Sequence, residues 1–149
     1  MTMVTKKDMM ILSILQKGAR TPVSDIAKQV GLSENGVRYR LEKLEDEGYI
    51  KNYVVLLNPK KFGKNTFAIF NLEMEPKKMK ASIKKLHAIE EFTKIYQTTG
   101  QYSIKAFGLF DDEDDLTNFI NDKLLSEIPV QNYSVEIITK NIKDSIYYV

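Results

Sequence analysis

The stretch TPVSDIAKQVGLSENGVRYRLEKLEDEG, residues 21–48, decides how the N-terminal half is read. Thr21-Pro22 marks a helix start: Thr accepts from the first free amides, and Pro suits the first helical position. Val23, Ile26, Ala27 and Val30 then recur at i, i+3, i+4 and i+7, one face of a helix. Gly31 ends that helix and Ser33 caps the next. Val37, Leu41 and Leu44 form its buried stripe, and Gly48 supplies a left-handed stop. Two short amphipathic helices separated by Gly31-Leu32-Ser33 are a helix-turn-helix arrangement.

With Val37, Leu41 and Leu44 inward, Asn35, Arg38, Tyr39, Glu42 and Lys43 fall on or beside the outer face. The first turns of such a helix enter the major groove of DNA. Asn pairs there with adenine and Arg with guanine. The candidate DNA-contacting residues are Ser33, Glu34, Asn35, Arg38, Tyr39, Arg40 and Lys43. Among them Lys43 and Arg40, with the region of Lys51, suit phosphates, which give affinity without sequence information. Gly36 weakens the helix by up to ~1 kcal/mol but allows close approach. Periodicity alone fits equally well a small helical domain whose polar face is only solvated.

Upstream, Thr5 caps a first helix with Asp8 as its capping-box partner, Ile11, Ile14 and Leu15 share one face, and Gly18 stops it. Downstream, Ile50 to Leu57 is β-branched and aromatic and reads as a strand. Asn58 to Asn65 combines Pro, Gly and like charges and reads as a boundary. Beyond it the pattern is strand (Phe67 to Met74), helix (Pro76 to His87), strand (Phe92 to Thr99), strand (Tyr102 to Phe110), helix (Asp112 to Leu125) and strand (Val130 to Thr139). Gly100-Gln101 between the two central strands has the signature of a type II′ hairpin. In the last helix Leu116, Phe119, Ile120 and Leu124 share a face. The βαββαβ order is the ferredoxin-like plan. The expected fold is therefore α+β: a winged helix-turn-helix domain over residues 1–57, a linker over 58–65, and a βαββαβ domain over 66–149.

Charge separates the halves. Residues 1–64 hold 12 Lys/Arg against 7 Asp/Glu, and residues 65–149 hold 10 against 13, so only the first half has the sign to meet a polyanion. The chain has no cysteine, which excludes a disulfide framework and thiolate chemistry. No run approaches the roughly 20 apolar residues of a membrane helix, and no signal peptide is visible. A soluble cytoplasmic protein without membrane contact is expected. Asp111 to Asp115 lacks the Gly and distal Glu of a calcium loop, and its acids suit a helix N-terminus. No metal site and no cofactor are expected. His87, the one histidine, sits near a helix end. Lys77, Lys78, Lys80, Lys84 and Lys85 read as a solvated face, and Tyr147 and Tyr148 as packing against an oligomer surface or the sheet edge.

Ser24 to Ser33, Val37-Arg38-Tyr39-Arg40-Leu41-Glu42-Lys43-Leu44-Glu45, Gly48-Tyr49-Ile50, Asn58-Pro59-Lys60, Gly63 and Thr98-Thr99-Gly100-Gln101-Tyr102 resemble, in that order, the Lrp/AsnC or feast/famine family. The resemblance implies a sequence-specific DNA-binding transcription regulator acting on a pseudo-palindromic double-stranded site. It implies dimers through the C-terminal sheets, with Ile50 to Leu57 paired to its twin, and assembly of the dimers to an octamer or an open helix. It also implies an amino-acid effector held between subunits at a hairpin here formed by Thr99, Gly100, Gln101, Tyr102 and Ser103. The family pattern there is Gly-x-Tyr/Phe-Asp, and Ser103 replaces the acid. A neutral lining favours a polar uncharged amino acid such as glutamine over a cationic one. Asn118 and Asp122, one turn apart on the following helix, are further candidates for the effector site, or else solvated helix surface.

Two alternatives stand beside this reading. One is an architectural DNA-binding protein of the same fold with little effector response, to which Ser103 lends weight. The other is an enzyme, since some relatives of this architecture are tetrapyrrole decarboxylases. The single histidine, the absence of a phosphate loop and the lack of a nucleophile–base pair favour a non-enzyme.

Overall fold

In the computed structural model, which describes residues 4–143, the chain divides into two units between Leu56 and Leu57. Tyr147 and Tyr148 lie outside the described residues. The first unit begins at a complete capping box. The Asp8 carboxylate accepts from the Thr5 amide at 2.9 Å, while the Thr5 hydroxyl accepts from the Asp8 amide at 3.3 Å. Helix α1 (Lys6–Lys17) follows, then α2 (Val23–Val30) and α3 (Glu34–Asp46). Ile11, Ile26, Ala27, Val30 and Val37 form the core between them, with Leu32 and Leu41 packed around it. Gly31 adopts φ +65 and turns the chain from α2 into α3. Lys7 donates to the Val30 carbonyl, placing a cation at the negative end of α2.

The cap of α2 differs from expectation. The Thr21 hydroxyl does not accept from helix amides; it donates to the Gly18 carbonyl at 2.6 Å, which the Thr21 amide also reaches at 2.9 Å. The hydroxyl closes the preceding turn, and the helix begins one residue later. The Pro22 carbonyl takes the Asp25 and Ile26 amides.

Ile50 to Leu57 does not form a strand. Its composition favours extended backbone, but a ladder needs a partner edge, and the described residues of the chain offer none. Tyr53, Val54, Val55, Leu56 and Leu57 are all more than half exposed, Val55 at 76%. Asn58 then caps a short 3₁₀ turn, Pro59–Phe62. Lys64 and Asn65 are tied to Asp111, the former by an ion pair at 2.7 Å.

The second unit is a four-stranded antiparallel sheet with one helical face. Strand β1 (Thr66–Met74) is central; β2 (Phe92–Gln97) and β3 (Ile104–Phe110) form a hairpin; β4 (Val130–Ile137) closes the sheet, in the order β2-β3-β1-β4. Pro76–Lys78 is a 3₁₀ turn leading into α4 (Met79–His87). Helix α5 (Glu113–Asn118) runs through a π-helical turn (Phe119–Leu124) into α6 (Leu125–Glu127). The extra residue of the π turn keeps Leu116, Phe119 and Leu124 buried together. Ala68, Phe70, Leu72 and Met74 alternate toward these helices, and Phe70 meets the rings of Phe92, Phe110 and Phe119 with centroids 5.1–5.9 Å away. Gly108 is required there: a Cβ would lie 2.7 Å from the Phe110 ring. Asp112 caps α5 by accepting from the Asp115 amide at 2.8 Å, which gives the acidic run a structural role.

The hairpin is wider than a two-residue II′ turn. The β2–β3 ladder stops at Gln97 and Ile104, leaving residues 98–103 as a loop. The Thr98 amide and hydroxyl donate to the Ser103 and Tyr102 carbonyls at 2.9 and 2.8 Å, bracing the loop from inside. These bonds replace the ladder pairs a tight turn would make.

Candidate functional site

The stripe Val37, Leu41 and Leu44 fixes the rotation of α3. Asn35, Arg38, Tyr39 and Glu42, spaced i, i+3, i+4 and i+7, lie on its opposite face and are exposed, Tyr39 at 68%. Ser33 caps the helix, its Oγ accepting from the Gly36 amide at 3.1 Å. Arg38 stands 4.0 Å from Glu34 one turn back, with its side chain 60% exposed. A pair of that kind contributes at most about 0.5 kcal/mol, so Arg38 is available to another partner. Lys43 faces Glu47 at 3.9 Å on similar terms. The surface carries a planar amide and a guanidinium, groups that read base edges, with a phenol on the same face.

Arg40 is placed differently. Its guanidinium donates to Asp8 at 2.7 Å and to the Thr5 hydroxyl at 3.0 Å, joining α3 to the cap of α1. Burial alone would raise the Asp8 carboxyl; the bonds from Thr5 and Arg40 outweigh it and hold it below the usual carboxylate range. Arg40 thus sets the position of α3 against α1. Beyond α3, the Tyr53 hydroxyl donates to Glu45 at 2.7 Å. Burial and that carboxylate push its pKa up to about 12.

In the second unit the hairpin loop borders a cavity of about 510 Å³ lined by Glu73, Met74, Pro76, Met79, Gln97, Gly100, Gln101, Ser103 and Gln131. Gly100 sits at φ +107 with open space where a Cβ would be, so the backbone angle, not room, requires glycine. Among the described residues the Gln101 and Tyr102 amides take no backbone partner. The Ser103 hydroxyl is buried without a hydrogen-bond partner. Glu73 accepts from Gln101 Nε2 at 3.4 Å. The pairing of β1 with β4 shifts register at Glu73/Met74, so that Gln131 stands opposite no residue of β1 and lines the cavity.

Of the residues expected at this site, Gly100, Gln101 and Ser103 line the cavity. Thr99 and Tyr102 belong to the loop but not to the lining. Asn118 and Asp122 are exposed on α5 and the π turn and are not part of the lining. Glu73, Gln97 and Gln131 are the polar groups that sequence reasoning missed. Glu73 brings a carboxylate from β1 to the lining. The alternation of β1 would have shown its face, but not that this face meets Gln101 of the hairpin loop. Among the described residues no group of three or more His, Asp or Glu side chains is placed to hold a metal ion, and no helix is long and apolar enough to cross a membrane.

Two family profiles match the chain: winged helix-turn-helix DNA-binding over residues 4–51, and Lrp/AsnC ligand binding domain over residues 67–147. The HTH-type transcriptional regulator Ptr1 of Methanocaldococcus jannaschii is 31% identical, covering 95% of this chain and 96% of that protein. The HTH-type transcriptional regulator LrpA of Pyrococcus horikoshii is 35% identical, covering 95% of this chain and all of that protein. Among solved structures, AsnC of E. coli superposes with a TM-score of 0.92 at 26% identity, over 98% of this chain and 99% of that one. A Neisseria meningitidis transcriptional regulator in complex with L-Met superposes with a TM-score of 0.91 at 25% identity, over 97% and 95%. Relatives that match nearly end to end are named as transcriptional regulators, and both halves of the chain match the two domains separately. The chain belongs to the Lrp/AsnC family: it is a DNA-binding transcriptional regulator, not an enzyme, with a ligand-binding domain.

Proposed function

We propose that α3 reads a pseudo-palindromic site in double-stranded DNA and that the hairpin cavity admits a polar amino acid, glutamine above all, that tunes this binding. Asn35, Arg38 and Tyr39 would meet base edges, with Glu34 beside them as an acceptor for a cytosine amino group, Ser33 and Lys43 at the flanking backbone and Arg40 holding the helix in place. The observation that carries the effector reading is the buried Ser103 hydroxyl without a partner, beside the Glu73 carboxylate and the open amides of the loop. A buried polar group left unmet costs about 1–3 kcal/mol, which a ligand group would recover. Glu73 suits an α-ammonium, the Gln101 and Tyr102 amides an α-carboxylate, and Ser103 with Gln97 or Gln131 a side-chain amide. Lysine and arginine rank below glutamine, because one carboxylate would have to serve two cations.

Methionine is the second reading. Met74 and Met79 bring adaptable thioethers to the lining, and the Neisseria neighbour was solved with L-Met. Calorimetry against the twenty amino acids separates the two. Glutamine should give the tightest isotherm. Heat from methionine alone supports the second reading, and no heat from any supports an architectural DNA-binding protein.

We further propose that the protein is a cytoplasmic homodimer that assembles toward an octamer, with the cavity completed between subunits. The sheet face opposite the helices carries half-buried Phe67, Ile69, Phe107 and Leu109, and Tyr53 to Leu57 is exposed. A second copy would cover the first face at the ~10 Å spacing of packed sheets and give the second a twin strand. Sedimentation of a monomer at micromolar concentration would remove this reading.

A further inference from the structure

The sheet face opposite the helices is not uniformly apolar. At its centre Asn71, only 4% exposed, links three strands. Its Nδ2 donates to Glu136 Oε1 at 2.9 Å and to Ser134 Oγ at 3.1 Å, both on β4, while its Oδ1 accepts from the Lys105 ammonium on β3. A charge of each sign therefore flanks β1, one strand away on either side, with an amide between them. Phe67 and Phe107 lie beside the triad, their rings 6.3 Å apart, so the charges are set in apolar surroundings. An ion pair split by an amide is a poor way to stabilise one sheet, since the carboxylate and the ammonium do not touch each other.

Two sheets of this kind, laid face to face about a two-fold axis parallel to β1, exchange left for right. Lys105 of one copy then lies above β4 of the other, on the side that carries Glu136, and the reverse. At a sheet spacing of ~10 Å, both long side chains reach across. An axis perpendicular to the strands would set like charges against each other. We infer that Lys105 and Glu136, held in place by Asn71, form a charge lock that selects a second copy of this same chain and its orientation on the open sheet face. This rests on the homodimer proposed above and adds which residues choose the partner. Complementary charge at an interface acts mainly on specificity, by excluding partners that would bury like charges.

The test is a mixing experiment on the full chain with native mass spectrometry. Lys105→Glu makes both flanking charges negative, and Glu136→Lys makes both positive. Each alone should dimerise at least about tenfold more weakly than the wild type. An equimolar mixture should form the heterodimer in about tenfold excess over either homodimer. Homodimers as tight as the wild type, or a statistical mixture in which about half is hetero, overturn the charge lock but leave the dimer standing. A wild-type monomer overturns both. If a reversed charge prevents folding, the neutral pair Lys105→Met with Glu136→Gln reads the same point. Its dimer should be insensitive to salt where the wild type weakens as salt rises, and equal salt dependence overturns the inference.

Discussion

Replacing Asp8 with alanine removes three contacts at once. The carboxylate accepts from the Thr5 amide at 2.9 Å, the Thr5 hydroxyl at 2.6 Å and the Arg40 guanidinium at 2.7 Å. Loss of a helix-capping group costs about 1 kcal/mol. Loss of the bond to Arg40 adds about 1 kcal/mol, discounted because that side chain is 29% exposed. The total is about 2 kcal/mol, confined to the first unit. Hydrogen exchange followed by mass spectrometry reads it locally: amides of α1 and α3 should exchange roughly 30-fold faster, while those of β1 and β3 keep their wild-type rates. A double-mutant cycle with Arg40→Ala should return a coupling near 1 kcal/mol. Unchanged protection in α3, or a coupling of zero, would refute the role given to this tie and return Arg40 to the set of free DNA contacts.

The same carboxylate sets an acid limit. Its folded pKa lies below the ordinary range, so its contribution is complete at neutral pH and is lost as pH falls from about 4 toward the folded value. Asp8→Asn should flatten α1 and α3 protection across that window. Arg38→Ala should cost about 1–3 kcal/mol at the specific DNA site and relax base preference, whereas Lys43→Ala should weaken all sequences alike and lower the salt slope; gel-shift titrations on specific and scrambled duplexes distinguish them. Glu73→Gln should weaken glutamine binding at least about tenfold in calorimetry, without changing DNA affinity in the absence of effector.

How much of this was legible in the sequence depended on the range of the interaction. Helix faces, the Ser33 cap, the Thr5–Asp8 box and the βαββαβ order are set within a few residues, and the structure shows them. Thr21 misled because a hydroxyl can close a turn behind it as readily as cap a helix ahead. Ile50 to Leu57 misled because β propensity is local and a strand partner is not. At the hairpin, Gly100 announced the turn, but Thr98 widened it through bonds to residues 102 and 103. Gln131 stands without a β1 partner because β1 and β4 slip by one residue after Glu73, and no local pattern encodes that. Arg40 looked like its neighbours Arg38 and Lys43; its partner lies 32 positions away.

Selection from a random pool of double-stranded DNA, with and without glutamine, tests most directly whether α3 reads sequence under the control of an amino acid. A pseudo-palindrome with half-sites about 10 base pairs apart, or a multiple of that, should be enriched, and its recovery should change when glutamine is present. Recovery of DNA without any shared motif, unchanged by glutamine, would contradict this.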